Sequence, residues 1–570
     1  LELAGIIGGA YANGPTSSLA AQGINRNPPE NIGNSVSLDG QLLAIGSPFD
    51  SGASGLTAAA GAVYLISFSN APGLNLTAPV LEGVIGSGYT GGKNLSLAGL
   101  QAGDNFGASV SLSGAFLAVG APGDDGGQDD VADGGAVYTF AFQSGAFENL
   151  SSFSTVGNGY GGVNDLDVAL EAGDRFGSAV AISLTNLLVG APFDDGLGNA
   201  VGDSGAVYLL LHSPFVGAGG VIGTIGAGYG GLNSLNLGAL DPGDNFGSSL
   251  SMDIVARQLA VGAPRDEGAG NIGGSLSAIG AVYTFTFADS QAGGVAQVGV
   301  IGRGYTGAND GDPGSLDNGD LFGSAVSLNA GRLAIGAPGD QGAGNLFQFG
   351  AGAVYLYNFA NAQLASPLQR SIIGNGYVGT LNGAQQISVP VEEGDNFGAA
   401  VSLFGTSLAV GSPGDDGPAN SQPNSGAVQF FQFSDAAFGS GRLTGTIGAD
   451  YRASVGLDLT APAAPSFAQL GAGDGFGNAV SLDGVRLAIG ARGDDGSIDG
   501  LIDAGAVYLF TFTDFLFGGA TLQSVIGHGY VGGKNLFVTQ IEGGDRFGSS
   551  VSLDGNRLAV GAPNDAGAGN

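Results

Sequence analysis

Cysteine and tryptophan are absent from this chain of 570 residues, and histidine occurs only twice. Without cysteine there is no disulfide framework, no thiol nucleophile and no thiolate metal site. The two histidines, His212 and His528, lie in unrelated sequence contexts. Their spacing assembles neither a Ser-His-Asp triad nor a histidine metal cluster, which removes the commonest routes to catalysis.

Positive charge is also scarce, with 15 Lys and Arg against 49 Asp and Glu, for a formal net charge of −34. This balance argues against binding to nucleic acid or to anionic lipid, both of which attract basic residues. No apolar run of about 18 residues occurs, so we expect no membrane span. The chain begins without a basic start and an apolar core, so any signal peptide is expected to have been removed. The absence of cysteine does not forbid secretion, because a large repeat protein has enough core to be stable without disulfides. We expect an extracellular or cell-surface protein.

Glycine is in excess, with 112 copies, well above the usual fraction of about 7%. No Gly-X-Y period accompanies it, so collagen is excluded. Instead one phrase returns along the whole chain, which indicates a repeat architecture. Its Phe-Gly element lies at Phe106, Phe176, Phe246, Phe322, Phe397, Phe476 and Phe547, with a degenerate first copy at Ile32-Gly33.

Each repeat contains four segments with the pattern of short β-strands. In the second repeat, residues 109–112 alternate apolar and small polar side chains, the period of a strand. The Ser113-Gly114 dipeptide that follows predicts a tight hairpin turn, because glycine tolerates a positive φ. A second strand ends at Pro122, since proline cannot donate to a ladder. The third is the Gly-Ala-Val-Tyr stretch from Gly135, and the fourth is a Val/Ile-rich segment before a recurring Gly-Tyr.

Small antiparallel sheets repeated in this way predict an all-β fold, a β-propeller of seven or eight four-stranded antiparallel blades. A parallel β-helix is the rival interpretation. It is disfavoured because its rungs do not need a two-residue hairpin at a fixed place in every repeat. Helical periodicity is missing, and we interpret the segment from Leu95 to Gln101 and its counterparts as loop.

The order Phe-Gly, Gly-Ala-Pro and Gly-Ala-Val-Tyr resembles the FG-GAP repeat, known from the integrin α propeller and from large secreted bacterial adhesin and haemagglutinin-type surface proteins. The resemblance covers nearly the whole chain. In the integrin family, calcium sits in an acidic loop between the first two strands. Here tight turns such as that at Asp554-Gly555 fill this place and offer too few of the six to eight oxygens that calcium takes. That metal site is therefore not expected.

The repeats predict one continuous assembly. Residues 1–31 are expected to supply an outer strand that closes the ring, as in integrin-like propellers. The repeats are then 32–105, 106–175, 176–245, 246–321, 322–396, 397–475 and 476–546, with a partial eighth at 547–570. Strands one, two and four occur eight times but strand three only seven times. An eight-bladed ring would lack one strand, and a seven-bladed ring would leave half a repeat over. Either way an unpaired edge remains, which favours self-association.

Acidic residues recur at two places in the repeat. One precedes Phe-Gly, where we interpret it as accepting backbone hydrogen bonds of its own turn, as Asx turns do. These residues are Asp104, Asp174, Asp244, Asp320, Asp395, Asp474 and Asp545. The Phe that follows is predicted to pack between blades.

The loop after Ala-Pro is the better metal candidate, because several carboxylates in a Gly-rich loop suit Ca²⁺. A solvated acidic loop is the alternative. The candidate ligands are Asp124, Asp125, Asp130 and Asp133. Calcium is the only cofactor that the sequence suggests.

We therefore expect a secreted structural or adhesive protein that assembles into a filament or matrix. The alternative is a calcium-assisted recognition module that binds a glycan or a cell-surface protein through its blade loops. Carboxylate-pair hydrolysis is not excluded by sequence, but no repeat departs sharply from its siblings as an active site would. We expect the protein not to be an enzyme.

Overall fold

The structure is a computed structural model, and it describes most of the chain between residues 34 and 562, together with residues 7–8 and 17–18. Within 34–562 the description omits residues 40–41, 55, 71–75, 145–146, 163, 184–185, 212–219, 232, 254–255, 272–277, 289–293, 346, 348–349, 362, 382–383, 419, 452–455, 459–469, 498–500, 515–516, 518–520, 531–534, 538–540, 542–543, 545 and 555–556. All regular structure in the described residues is β-strand.

The strands of the N-terminal segment and of blades 1 to 3 follow the repeat pattern. The N-terminal pair is β1 (Ile7–Gly8) and β2 (Ser17–Ser18). Blade 1 comprises β3 (Ser35–Asp39), β4 (Leu42–Ser47), β5 (Ala62–Asn70), β6 (Leu76–Gly86) and β7 (Leu95–Ser96). Blade 2 comprises β8 (Ser109–Ser113), β9 (Phe116–Ala121), β10 (Ala136–Ser144), β11 (Glu148–Gly157) and β12 (Leu166–Asp167). Blade 3 comprises β13 (Ala179–Ser183), β14 (Asn186–Ala191), β15 (Ala206–Leu211), β16 (Gly220–Gly226) and β17 (Leu235–Asn236).

Blades 4 to 7 continue in the same order. Blade 4 comprises β18 (Ser249–Asp253), β19 (Gln258–Ala263), β20 (Ala281–Thr286) and β21 (Ala296–Gly302). Blade 5 comprises β22 (Ala325–Asn329), β23 (Arg332–Ala337), β24 (Ala353–Phe359), β25 (Pro367–Gly374), β26 (Gly379–Leu381) and β27 (Ala384–Ser388). Blade 6 comprises β28 (Ala400–Phe404), β29 (Ser407–Ser412), β30 (Ala427–Gln432), β31 (Arg442–Gly448) and β32 (Gly456–Asp458). Blade 7 comprises β33 (Phe476–Asp483), β34 (Arg486–Ala491), β35 (Ala506–Thr511), β36 (Thr521–Gly527) and β37 (Leu536–Phe537). A last hairpin is formed by β38 (Ser550–Asp554) and β39 (Arg557–Gly561).

Each blade is a four-stranded antiparallel meander, as the sequence predicts. The expected two-residue hairpins are present: Ser113 pairs with Phe116 across a turn in which Gly114 has a φ of 59°. Most blades also have a short fifth strand that runs parallel to the fourth. In blade 1 it pairs Leu95 with Ile85. The prediction that the segment from Leu95 is loop is therefore wrong for its first two residues, because their backbone groups extend the sheet.

The first strands of successive repeats form a closed ring. β8 contacts β3, β13 contacts β8, and the series continues through β18, β22, β28 and β33 to β38. β38 and β39 then contact β3, in the same way that each preceding blade contacts the next. The structure is thus a β-propeller of seven complete blades, and the hairpin β38–β39 lies in the ring between blade 7 and blade 1. We call this place the eighth position.

The hydrophobic core lies between blades, and the Phe of the repeat phrase fills it. Phe106 is completely buried and meets Tyr138 of its own blade edge to face, with ring centroids 5.1 Å apart. On its other side it lies against blade 1, where a parallel bridge joins it to Gly61. A Cβ at Gly61 would lie 2.1 Å from the Phe106 carbonyl oxygen, so this position requires glycine. The predicted packing of this Phe between blades is confirmed.

Candidate functional site

A buried carboxylate in the loop after Ala-Pro holds two tyrosines in six of the seven blades. In blade 3, Asp194 accepts hydrogen bonds from the hydroxyl groups of Tyr208, at 2.6 Å, and Tyr229, at 2.9 Å. It also accepts the backbone N–H of Gly196, at 2.8 Å, and is 1% exposed. Burial raises the pKa of the Asp194 carboxyl, while the tyrosine and backbone donors oppose the rise. We call this arrangement the Tyr–Asp–Tyr cluster.

The cluster repeats with the same donors around the ring. One tyrosine comes from the third strand and the other from the Gly-Tyr after the fourth strand, so each cluster ties the outer half of a blade to its loop. The carboxylates in the other five blades are Asp50, Asp124, Asp266, Asp340 and Asp494. Phenol hydroxyls and backbone amides donate hydrogen bonds to these oxygens, so the carboxylates hold the blade and its loop together.

Blade 6 contains a natural variant of the cluster. Gln429 stands where the other blades have the third-strand tyrosine, and its buried Oε1 has no hydrogen-bond partner. Asp415 accepts hydrogen bonds from Tyr451, at 2.8 Å, and from the backbone of Gly417, at 2.8 Å. Burial raises the pKa of Asp415 to about 6, against the lowering effect of Tyr451.

The Asp before Phe-Gly is also buried, and it accepts a backbone hydrogen bond as predicted. Asp104 Oδ2 accepts the N–H of Gln101 at 2.7 Å, and Asp174 Oδ2 accepts that of Glu171 at 2.8 Å. Burial raises the pKa of each carboxyl to about 8, and the neighbouring Asp of the Tyr–Asp–Tyr cluster adds to the rise. The Oδ1 atom of Asp174 is buried without a hydrogen-bond partner. These carboxyl groups are therefore mostly protonated near neutral pH.

Blade 4 departs from its siblings at one residue. Glu267 follows the cluster aspartate, where most blades have a half-exposed Asp, and it is buried to 6% exposure beside Asp244. Its Oε2 atom and Asp244 Oδ1 are both buried without hydrogen-bond partners. Burial raises the pKa of Asp244 to about 9, with further contributions from Asp266 and Glu267. Two neighbouring buried acids are more stable when at least one of them keeps its proton.

The four residues predicted to bind calcium do not converge in one place. Asp124 is committed to its Tyr–Asp–Tyr cluster, and Asp125 accepts the backbone N–H of Asp133 at 2.8 Å. Asp130 and Asp133 are exposed. In the part of the chain that the structure describes, no group of three or more His, Asp or Glu side chains is arranged to hold a metal ion. Calcium at these residues stays a prediction.

Histidine chemistry has no further support. His528 is half-buried, and burial lowers the pKa of its imidazole. His212 lies outside the described residues.

Among the described residues no helix has the length and apolarity that crossing a membrane requires.

The eighth position is the part of the ring that differs most from the rest. In the described chain β39 pairs with β38 alone, on one of its two edges. β1 pairs in parallel with β2, with Ile7 opposite Ser17. The same ten-residue offset joins Ile526 to Leu536 in blade 7, so β1 and β2 have the pairing of a fourth and a fifth strand.

Sequence reasoning missed the convergence of both tyrosines on one carboxylate. It treated the Gly-Tyr phrase and the Ala-Val-Tyr phrase as separate markers. A signal was present, because an Asp in the loop after the second strand precedes the third-strand tyrosine by a nearly constant distance, as Asp124 precedes Tyr138 and Asp194 precedes Tyr208. A buried tyrosine hydroxyl needs an acceptor, and a loop carboxylate at constant spacing is one.

Five segments match the family model of the FG-GAP repeat, at residues 95–140, 170–210, 391–431, 470–510 and 539–570. The chain therefore carries FG-GAP repeats, which are typical of extracellular proteins. A search of curated proteins finds no match.

Three solved structures that match the chain resemble it distantly. The crystal structure of Saccharomyces cerevisiae Sqt1 is 12% identical, covers 94% of this chain and 94% of its own, and has a TM-score of 0.41. Sqt1 from Chaetomium thermophilum is 12% identical, with coverages of 94% and 95% and a TM-score of 0.43. A putative 6-phosphogluconolactonase from Bacteroides uniformis is 11% identical, with coverages of 72% and 84% and a TM-score of 0.36. Likenesses this weak carry no argument about function.

Proposed function

We propose that this FG-GAP repeat propeller is a secreted structural or adhesive protein, a rigid subunit of a surface filament or matrix that assembles through unpaired strand edges. The observation that carries the proposal is the eighth position. Its hairpin β38–β39 contacts both blade 7 and blade 1, yet β39 has one strand neighbour among the described residues. An unpaired strand edge is a template for another chain.

Two further features support a role without catalysis. The carboxylates and phenols of the Tyr–Asp–Tyr clusters, which are present in six of the seven blades, are used in hydrogen bonds within the blade. The net charge of −34 keeps such a subunit soluble until a specific contact forms. FG-GAP repeats also fit a ligand-binding or recognition module, which is compatible with an adhesive role.

Electron microscopy of the isolated protein over a range of concentrations tests this proposal. We expect discs that join end to end or edge to edge as the concentration rises, with contacts at the eighth position. Discs that stay separate at all concentrations, in a sample whose blades are intact, would contradict assembly and leave only the recognition role.

The second candidate is a calcium-assisted recognition module that binds a glycan or a protein through the loops after Ala-Pro. The exposed carboxylates of Asp130 and Asp133 on one such loop favour it. Thermal unfolding in calcium and in EDTA provides the test. A Tm that rises in calcium, and no longer does so in the Asp130→Asn variant, would support this candidate; equal Tm values in both buffers would remove it.

A further inference from the structure

A serine hydroxyl closes six of the junctions between successive first strands. Between blades 1 and 2, Ser37 Oγ accepts the backbone N–H of Leu112, at 3.0 Å. The serines that make the equivalent bond at five further junctions are Ser111, Ser251, Ser327, Ser402 and Ser481. Blade 3 has Ala181 at this place in β13, opposite Met252 of blade 4. Alanine has no hydroxyl, so this bond is missing between blades 3 and 4.

The junction of blades 3 and 4 is also wider than the others. Between blades 2 and 3, a Cβ added at Gly120 would lie 2.0 Å from the carbonyl oxygen of Gly177. The equivalent distance from Gly190 to Gly247, across blades 3 and 4, is 2.5 Å. It is 1.9–2.1 Å at five further junctions, which involve Gly46, Gly262, Gly336, Gly411 and Gly490. Among neighbouring first strands, β13 and β18 are the least closely packed pair.

Met252 lies in this wider junction and is less well covered than its counterparts. Its side chain packs against an apolar cluster shared by the two blades, which includes Leu209 of blade 3 and Leu259 of blade 4. Met252 is half-buried. The residues at its place in five other blades are only 6–8% exposed, and they are Leu112, Ile182, Leu328, Leu403 and Leu482. The wider junction therefore leaves the Met252 side chain partly open to solvent.

Met252 also carries the only sulfur atom of this chain, which has one methionine and no cysteine. Oxidation of a methionine to its sulfoxide turns a flexible apolar side chain into a polar one, and it disrupts apolar packing. Susceptibility to this reaction follows exposure. Partial exposure and contact with an apolar cluster thus coincide at one side chain.

We propose that Met252 is an oxidation site for hydroperoxides, and that its oxidation loosens the junction of blades 3 and 4. The sulfur lone pair attacks the terminal oxygen of the hydroperoxide, an S–O bond forms and the O–O bond breaks. The proton of the attacked hydroxyl passes to the departing oxygen, which leaves as water or an alcohol. Sulfur is oxidised by two electrons, and the hydroperoxide is reduced. This site does not depend on the assembly proposed above.

The consequence falls on the junction that already lacks a serine. The sulfoxide oxygen is a strong acceptor that loses hydrogen bonds to water when it faces an apolar cluster. The oxidised side chain is therefore expelled from the cluster, or holds it open to water. The other junctions keep their leucine or isoleucine and their serine bond.

The rate of oxidation by dilute hydrogen peroxide, measured by mass spectrometry on the full chain, tests the site. Met252→Leu with Leu328→Met moves the only sulfur to the junction of blades 4 and 5, which Ser251 closes. Exchanges between Leu and Met are well tolerated in cores. We expect Met252 to react at least about fivefold faster than the transplanted methionine. Equal rates would overturn the proposal, as would a folded chain that reacts only after unfolding in urea.

Hydrogen exchange tests the effect on the junction. After complete oxidation we expect amides of β13 and β18 to exchange at least about fivefold faster, since a polar group has entered an apolar contact. Amides of β28 and β33 should be unchanged, and peroxide should have no effect on the Met252→Leu variant. Unchanged exchange in β13 and β18, or an equal rise in all blades, would overturn the proposal.

Ala181→Ser tests whether the missing serine leaves Met252 open. The new hydroxyl can accept the Met252 N–H, as Ser111 accepts that of Ile182. We expect the Met252 amide to exchange at least about twofold more slowly, and oxidation to slow with it. Unchanged exchange and oxidation in this variant would overturn the assignment of the opening to this junction.

Discussion

Blade 7 and the eighth position begin with nearly the same residues, and they differ in how completely those residues are covered. Both have a Phe-Gly phrase, a first strand of the pattern Ala/Ser-Val-Ser-Leu-Asp and a second strand that begins Arg-Leu-Ala. In blade 7 a third and a fourth strand complete the sheet, and Phe476, Leu487 and Ile489 are buried. In the eighth position Phe547, Leu558 and Val560 are only partly buried.

In this chain a repeat is therefore not packed as an independent unit. Its Phe-Gly phrase packs against the blade before it, while its own third and fourth strands provide the other wall of the pocket. A two-stranded hairpin is marginal by itself. The contacts of β38 and β39 with β33 and β3 therefore hold the hairpin in the ring.

The largest expected effect comes from removing the Phe at the two places. Phe476→Ala should lower the free energy of unfolding by about 3–5 kcal/mol, because it empties a completely buried site. Phe547→Ala should cost about 1–2 kcal/mol, since that ring is already partly exposed. Urea unfolding measures both. Equal losses would mean that Phe547 is as well covered as Phe476, and would break the comparison.

The second expected effect is a dependence of the free energy of unfolding on pH. It arises from the buried Asp carboxyl groups of the complete blades. The pKa of Asp104, Asp174, Asp320 and Asp395 is raised to about 8 by burial, from 3.8. Between these values the folded chain keeps protons that the unfolded chain has released. Their contribution to stability is therefore fully present below about pH 4 and is lost as the pH rises to about 8.

Thermal unfolding from pH 4 to pH 8 measures this dependence, and we expect the Tm to fall across the range. Asp174→Asn mimics the protonated acid, so it should raise the Tm at pH 8 and reduce the slope. Glu393→Gln changes an exposed carboxyl and should alter the slope little. A Tm that rises with pH, or an Asp174→Asn variant with an unchanged slope, would contradict the assignment of buried neutral carboxyls.

The smallest effect concerns the Tyr–Asp–Tyr clusters of two complete blades. Tyr508→Phe removes a donor to Asp494 and should cost about 1–2 kcal/mol. Gln429→Tyr restores the missing phenol in blade 6 and should gain about 1 kcal/mol, because the buried Oε1 of Gln429 has no partner.

Tyr357→Phe provides the matched control for these variants. The hydroxyl of Tyr357 is buried without a hydrogen-bond partner, so its removal should be neutral or slightly stabilising. Chemical unfolding of the three variants measures these changes in the free energy of unfolding. If Tyr508→Phe costs no more than Tyr357→Phe, the cluster contributes nothing to stability beyond its packing.

Much of the fold follows from local sequence. Three features depend on the chemistry of a few neighbouring residues, and each is present as predicted. They are the turn at Ser113-Gly114, the strand end at Ala121-Pro122 and the buried side chain of Phe106. The short strand at Leu95–Ser96 escaped prediction, because two residues carry no period and the pairing is with a distant segment.

Local sequence could not predict the number of ring positions in the same way. It also could not predict the hydrogen-bond partners of the buried Asp side chains. Closure depends on the angle between successive sheets, and sequence left seven and eight positions open. Sequence alone does not show which groups donate hydrogen bonds to the Asp124 carboxylate. Two tyrosines that lie 14 and 36 residues further along the chain occupy it.

The central claim is that the ring has eight positions, seven held by complete blades and one by the hairpin β38–β39. Electron cryomicroscopy of the isolated protein, viewed along the ring axis, tests it most directly. We predict seven full blades, with the hairpin β38–β39 as a further, narrower feature between blade 7 and blade 1. Seven evenly spaced blades that close on themselves, with β38–β39 outside the ring, would contradict the account.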